Sequence, residues 1–239
     1  MRIRVPRLVE ALAREVDPLM DGRRALFLAP HPDDEVLGCG GTIALKVRAD
    51  ADVSIAFLTD GRNGVKAAGG SGRAVREVEA MAAAAALGVP RHRLTFLRYA
   101  DGRLGEHRGE AIATIRRLVE RCGVEDLFVP YRREYHPDHI ATWQIGRASL
   151  PPGGHLYEYP IWYGPWLWSR LRGRARLAAA SHLMDAFGSV KVRVAGVAGT
   201  KRLALSAYRS QLAGFASQGA WGARFLERFS GRYEIFFVA

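Results

Sequence analysis

Apolar residues recur along the chain with two periods, and the alternation between them predicts the elements. Residues 7–20 (RLVEALAREVDPLM) put Leu8, Leu12, Val16 and Leu19 on one face of a helix. ALFLAP at 25–30 is an unbroken apolar run stopped by proline, which predicts a strand covered on both faces. GTIALKVRA (41–49) has helical spacing, and DVSIAFLT (52–59) predicts a second buried strand. After the glycine-rich stretch GRNGVKAAGGSG (61–72), RAVREVEAMAAAAALG (73–88) reads as a helix closed by Gly88 and followed by Pro90. The alternation continues with strand 94–99, helix 110–123 and strand 126–130. Farther on, 155–162 and 232–239 read as strands and 201–216 as a helix, while 162–184 fits neither period. Strand and helix in strict alternation predict an α/β domain, a mostly parallel sheet with helices on both faces.

Composition limits what such a domain can be. The 239 residues, 49% hydrophobic and 25% charged, suffice for one large α/β unit, so residues 1–239 are taken as a single domain. Its core spans about 24–150, and 151–239 completes the sheet and the substrate site. No run approaches a membrane span of about 18 apolar residues, and MRIRVPRLVEALAREV lacks an apolar signal core, so export is not expected. Cys39 and Cys122 are too few for a disulfide framework, which places the protein in a reducing cytoplasm. The net charge of +11 is uneven: +3 over residues 1–150 and +8 over 151–239. A basic C-terminal third suits an anionic substrate, a nucleic acid or an acidic membrane surface; a solvated, arginine-rich face accounts for it equally.

The candidate chemistry lies in two loops. PHPDDE at 30–35 directly follows the first buried strand, and YHPDH at 135–139 follows the strand ending at Pro130. In open α/β sheets ligands sit at the carboxyl ends of strands, so the two loops meet if those strands are neighbours. Together they supply His31, Asp34 and His139, three protein ligands with a fourth position left open, as a catalytic zinc requires. The same set accommodates Fe(II). Asp33, beside a ligand but pointing elsewhere, is free to take a proton from water. His136 is placed to stabilise an oxyanion and protonate a leaving nitrogen, with Asp138 orienting its ring. Glu35 is expected to accept a hydrogen bond from a ligand histidine. Taken singly, each loop is also an ordinary helix start or turn; the pair, jointly completing one shell, is what favours a metal.

The AHPDDE-like loop followed by LGCGGT, with HPDH downstream, resembles the LmbE-like family of metal-dependent N-acetylglucosamine de-N-acetylases, related to N-acetylglucosaminylphosphatidylinositol deacetylase (PIG-L) and to the deacetylases of mycothiol and bacillithiol synthesis. Residues 25 to about 145 carry the match, with further fragments at 76–79, 87–88, 100–104, 157–162 and 201–211. The resemblance implies a Rossmann-like three-layer sandwich. It also implies a zinc ion on His31, Asp34 and His139, Asp33 as general base, His136 as electrophile or acid, and Arg76 and Asp101 holding sugar hydroxyls. The expected activity is hydrolysis of the linear amide of an N-acetylated amino sugar, in an anionic conjugate on the strength of the +8 segment. An amidase for longer N-acyl groups is the alternative, and a non-catalytic basic module the remaining one.

Two signals stand apart. GCGGT follows a strand, but the third glycine of a dinucleotide fingerprint is replaced by Ile43, so its glycines serve close backbone packing beneath the metal site. WYGPWLWSRLRGRAR sets Trp162, Trp166 and Trp168 beside Arg170, Arg172, Arg174 and Arg176, which suits membrane-surface contact through 162–176, at the inner face of the membrane, or a lipid-linked sugar. A lid or a homo-oligomer contact fits the same residues. No nucleic-acid partner is expected.

Overall fold

The unbroken apolar runs become the middle of a sheet. The computed structural model describes residues 5–16, 22–64, 72–162 and 185–238. Among these, the strands are β1 (Arg14–Val16), β2 (Ala25–Ala29), β3 (Val53–Thr59), β4 (Leu94–Tyr99), β5 (Asp126–Pro130), β6 (His155–Tyr159), β7 (Ser189–Arg193) and β8 (Tyr233–Val238). They form one sheet in the order β1-β7-β8-β6-β5-β2-β3-β4, in which only β8 runs antiparallel to its neighbours.

Every residue of β2, β3 and β5 is buried, because both faces of the sheet are covered. Along β2 the faces alternate strictly. Ala25, Phe27 and Ala29 enter a core shared with the helices α2 (Asp34–Arg48) and α3 (Gly72–Ala86), while Leu26 and Leu28 pack against α4 (Arg108–Cys122) and α5 (Pro137–Ser149). The helices α6 (Ala198–Ala207), α7 (Arg209–Ser217) and α8 (Ala220–Glu227) extend the first layer, and α1 (Val5–Leu12) precedes β1. The result is the expected three-layer α/β sandwich. No described helix is long and apolar enough to cross a membrane.

The topology also fixes where a ligand can sit. From β2 the chain moves through β3 to β4, then returns past β2 to β5 and β6, so the strand order reverses between β2 and β5. Those two strands pair in parallel (Ala25↔Asp126, Phe27↔Phe128), which brings the loops after them together at one edge, at the switch point.

Four elements depart most from the sequence reading, three because tertiary contacts outweigh local pattern and the fourth because a proline stops the strand. The helix over 7–20 ends at Leu12, and Arg14–Val16 instead pairs with Val190–Val192 of β7, a strand absent from the sequence reading; Leu19 lies outside the described residues. The helix expected at 41–49 begins at Asp34, so GCGG is helical. Gly38 and Gly41 are there because a Cβ at Gly38 would collide with the Tyr159 ring and one at Gly41 would lie 2.5 Å from Val194 Cβ. The helix over 201–216 is two helices, broken at Tyr208. Strand 155–162 stops at Tyr159, before Pro160. Cys39 is buried in α2 and Cys122 half-buried, and both are free thiols. The segment 163–184, with most of the Trp/Arg motif, lies outside the described residues.

Candidate active site

Both histidine loops are strand-to-helix junctions. Asp33 is the N-cap of α2, and Asp34 and Glu35 form its first turn. His136 is the N-cap of α5, Pro137 takes the first helical position, where its missing N–H costs nothing, and Asp138 and His139 follow. The ordinary reading of each loop as a helix start is therefore correct locally. The two starts face one another across the β2–β5 pair.

His31 and His139 both lie beside Asp34. Asp34 Oδ2 lies 3.2 Å from His31 Nδ1 and 3.3 Å from His139 Nε2. With ligand bonds of about 2.0–2.1 Å, neighbouring donors in a tetrahedral shell stand roughly 3.3 Å apart, which the two distances to Asp34 match. His139 Nε2 is buried, and although it is 3.3 Å from Asp34 Oδ2 it makes no hydrogen bond of good geometry, a vacancy that a bound ion would satisfy. The outward nitrogens are held by carboxylates. His31 Nε2 is 3.1 Å from Asp138 and 3.3 Å from Asp101, and His139 Nδ1 is 2.6 Å from Glu134 Oε2. Carboxylate behind histidine behind metal is the usual arrangement for fixing the ring and its tautomer.

Two other groupings bring three donor atoms within 4.8 Å of one another, His31 with His136 and His139, and His31 with Asp101 and Asp138. The carboxylates of the latter are already engaged: Asp138 accepts from the amides of Gly102 (2.6 Å) and Leu104 (3.1 Å), and Asp101 from that of Asn63 (2.9 Å).

Charge in the cluster follows from burial and neighbours. Burial opposes a charged ring at His139, yet Asp34 and Glu134 push its pKa up to about 9. At His31, burial is likewise outweighed by Asp101, Asp138 and Asp34. Asp34 is held well below the carboxylate range, burial being overcome by His139 and His31. The same carboxylates provide the negative field that a divalent cation needs.

Asp33 stands apart from this set. Its backbone has φ 125° and ψ −28°, outside the conformations an L-residue prefers, and its N–H donates to Glu35 Oε2 at 3.1 Å. Burial pushes its carboxyl up to about 6, with Arg76 opposing the rise and Asp34 adding to it. Arg76, only 2% exposed on α3, places Nη2 3.6 Å from Asp33 Oδ1, while its Nε and Nη1 have no hydrogen-bond partner. His136 Nδ1 accepts the Asp138 N–H at 3.3 Å, so in its neutral form the ring carries its proton on Nε2. Burial, with His31 and His139 adding to it, lowers this ring to about 4.

Two role expectations change with these contacts. The Asp138 carboxylate is occupied by His31 and the loop after β4, and touches His136 only through its backbone amide. Glu35 accepts from the Asp33 amide and the Tyr208 hydroxyl rather than from a histidine. Glu134 and Tyr208 escaped the sequence reading. The one signal available for Glu134 was an acid two residues ahead of HPDH, in a loop of tyrosine and arginine.

His31, Asp33, Asp34, His136 and His139 line a cavity of about 280 Å³, at the small end for ligand pockets. Its lining includes polar side chains, Asn63, Arg76, Asp101 and Gln211, and aromatic ones, Trp162, Phe215 and Phe225.

Comparison with known proteins points the same way. The family model for PIG-L, GlcNAc-PI de-N-acetylase, matches residues 26–150. Diacetylchitobiose deacetylase of Thermococcus kodakarensis is 37% identical over 145 residues, 58% of this chain; the match spans 53% of that enzyme, about half its length. The 1D-myo-inositol 2-acetamido-2-deoxy-alpha-D-glucopyranoside deacetylase of Mycolicibacterium vanbaalenii is 30% identical over 206 residues, covering 73% of this chain and 68% of its own length. The solved structure of N,N'-diacetylchitobiose deacetylase from Pyrococcus horikoshii has a TM-score of 0.67 at 22% identity, covering 93% of this chain and 85% of that one, which attests the fold.

Proposed function

Since the chain belongs to the PIG-L family of GlcNAc-PI de-N-acetylases, we propose that it is a metal-dependent hydrolase that removes the N-acetyl group from an N-acetylglucosamine-type sugar, releasing acetate and a free amine. The single observation that carries this reading is the vacancy at His139 Nε2, at ligand spacing from Asp34, with His31 on the same carboxylate oxygen. His31, Asp34 and His139 would hold the ion, zinc in our reading, with Fe(II) as the other metal that suits two histidines and a carboxylate. Such an ion supplies Lewis acidity toward water and toward the amide carbonyl.

The protein's own groups do the rest. Asp33, held against Arg76 and off the ligand set, takes the proton of the attacking water and returns it to the leaving nitrogen. The expected role of His136 as the acid gives way to donation from Nε2–H to the developing oxyanion, because a ring that is neutral near pH 7 has no spare proton to give. Arg76 and Asp101 face the cavity as contacts for sugar hydroxyls, and the free donors of Arg76 support that role. Residues 1–239 are read as one deacetylase unit, since β7 and β8 complete the sheet that bears the site.

Asp33→Asn tests the chemistry, because Asn tolerates positive φ and matches the shape of Asp. The variant is expected to keep about one metal ion per chain, measured by elemental analysis, and to lose ~10²–10⁴-fold in kcat. Full activity would exclude the mechanism, and loss of the metal would mean that Asp33 and Asp34 have exchanged roles. The finer substrate reading, an anionic conjugate, rests on the +8 of residues 151–239; Arg76 is the one Lys or Arg among the described lining residues. Equal turnover of neutral and phosphorylated GlcNAc conjugates would remove it.

A further inference from the structure

Asp33 is restrained at both ends. Its backbone, at φ 125° and ψ −28°, is one that an L-residue keeps only where its surroundings over-determine it. Glu35 supplies that restraint. Fully buried, it accepts the Asp33 N–H on Oε2 at 3.1 Å and the hydroxyl of the equally buried Tyr208 on Oε1. At the side-chain end, Arg76 brings Nη2 to 3.6 Å from Asp33 Oδ1. Arg76 is itself confined: a Cβ at Gly61 would lie 2.7 Å from Arg76 Nε and 3.0 Å from Pro32 Cδ, so the chain after β3 packs directly on the guanidinium.

Both restraints refer to one helix. Arg76 and Glu79 stand three residues apart on α3 and share a face. Glu79 accepts the Ser210 N–H at 2.7 Å and its hydroxyl at 2.6 Å, which pins the chain beside Tyr208, at the break between α6 and α7. From that anchored point α7 carries Gln211 and Phe215 to the cavity lining. Tyr208 and Glu35 are not among the described lining residues, so neither is placed to touch substrate.

We propose that Glu35 and Tyr208 are positioning residues of the reaction. Through the Asp33 amide they hold a backbone conformation that turns the Asp33 carboxylate to Arg76 and the cavity, while Asp34, next in the chain, turns to the two histidines. The inference rests on the reading of Asp33 as the base of a deacetylase.

The test is a double-mutant cycle on the metal-loaded protein, with acetate release from the methyl glycoside of GlcNAc as the readout. Glu35→Ala is expected to keep its metal and its KM and to lose roughly 10–100-fold in kcat, the scale of a misplaced catalytic group. Glu35→Gln, which retains an oxygen for the Asp33 N–H, restores most of that loss, and Tyr208→Phe loses roughly fivefold. In the Asp33→Asn background Glu35→Ala and Tyr208→Phe cost nothing further in residual kcat, because they act through the carboxylate already removed. Losses that multiply across the cycle, or equal losses from Glu35→Ala and Glu35→Gln, would reduce the pair to structural support and overturn the proposal. If Glu35→Ala does not fold, Tyr208→Phe carries the same cycle. Full activity in Asp33→Asn alone would instead overturn the base, and no acetate release by wild type the deacetylase reading.

Discussion

Glu134 has the most consequential contacts of the residues whose role depends on the fold alone. Its two oxygens serve different masters, His139 Nδ1 on one side and the amides of Ile161 and Trp162 on the other, and a carboxylate can accept from both. A glutamine has one accepting oxygen, so Glu134→Gln must present an NH₂ either to the histidine or to two backbone donors. The expected result is metal affinity ~10–100-fold weaker with the fold intact, measured by competition with a chelating dye. His31, Asp33, Asp34, His136 and His139 were legible in the sequence because each loop keeps its acids and histidines contiguous. Glu134 and the Glu35–Tyr208 bond were not, since nothing in YRREYHPDH or in KRLALSAYRSQ says that a buried partner waits 27 or 173 positions away.

At the scale of elements, α2 shows most clearly how local rules mislead. Glycine inside a helix usually costs about 1 kcal/mol relative to alanine, so a run of GCGG argues against helix. Here the run is helical because α2 lies so close to its neighbours that a methyl at Gly41 would meet Val194 at 2.5 Å and Glu234 Oε1 at 3.0 Å. Overpacking of that kind typically costs 1–3 kcal/mol and outweighs the propensity gained. Gly41→Ala is therefore expected to destabilise, with a lower urea midpoint and an unchanged m-value; a higher midpoint would contradict the packing account. The strands β2, β3 and β5 were legible for the converse reason. A strand buried on both faces is apolar throughout, whatever its neighbours, whereas the three-residue β1 owes its place to β7, and β7 to β1 and β8.

Across the whole molecule, a buried ion pair joins the later part of the chain to the helix that bears Asp34. Glu234 of β8 accepts from the amides of Gly41 and Thr42 at 2.7 Å and from Lys201 Nζ at 2.7 Å, and Lys201 also donates to the Leu37 carbonyl at 2.8 Å. Both side chains are buried, so removing one partner strands the other. Glu234→Ala is expected to cost about 3–5 kcal/mol, read as a drop in the denaturation midpoint. The fragments at 38–42 and 201–211 thus belong to one contact, although the sequence shows them as separate signatures.

The antiparallel strand sets a schedule for the molecule as it is made. β8 is the last of the eight strands in chain order, yet it lies inside the sheet, between β6 and β7. During synthesis β2 through β6 can pair as they emerge, but β7 and β1 have nothing to join them to that sheet until residues 233–238 arrive. Until then Lys201 also lacks its carboxylate, and the amides of Gly41 and Thr42 lack their acceptor. A ribosome-bound chain halted short of Tyr233 would hold both histidine loops and still leave the edges of β6 and β7 unpaired, a target for chaperones.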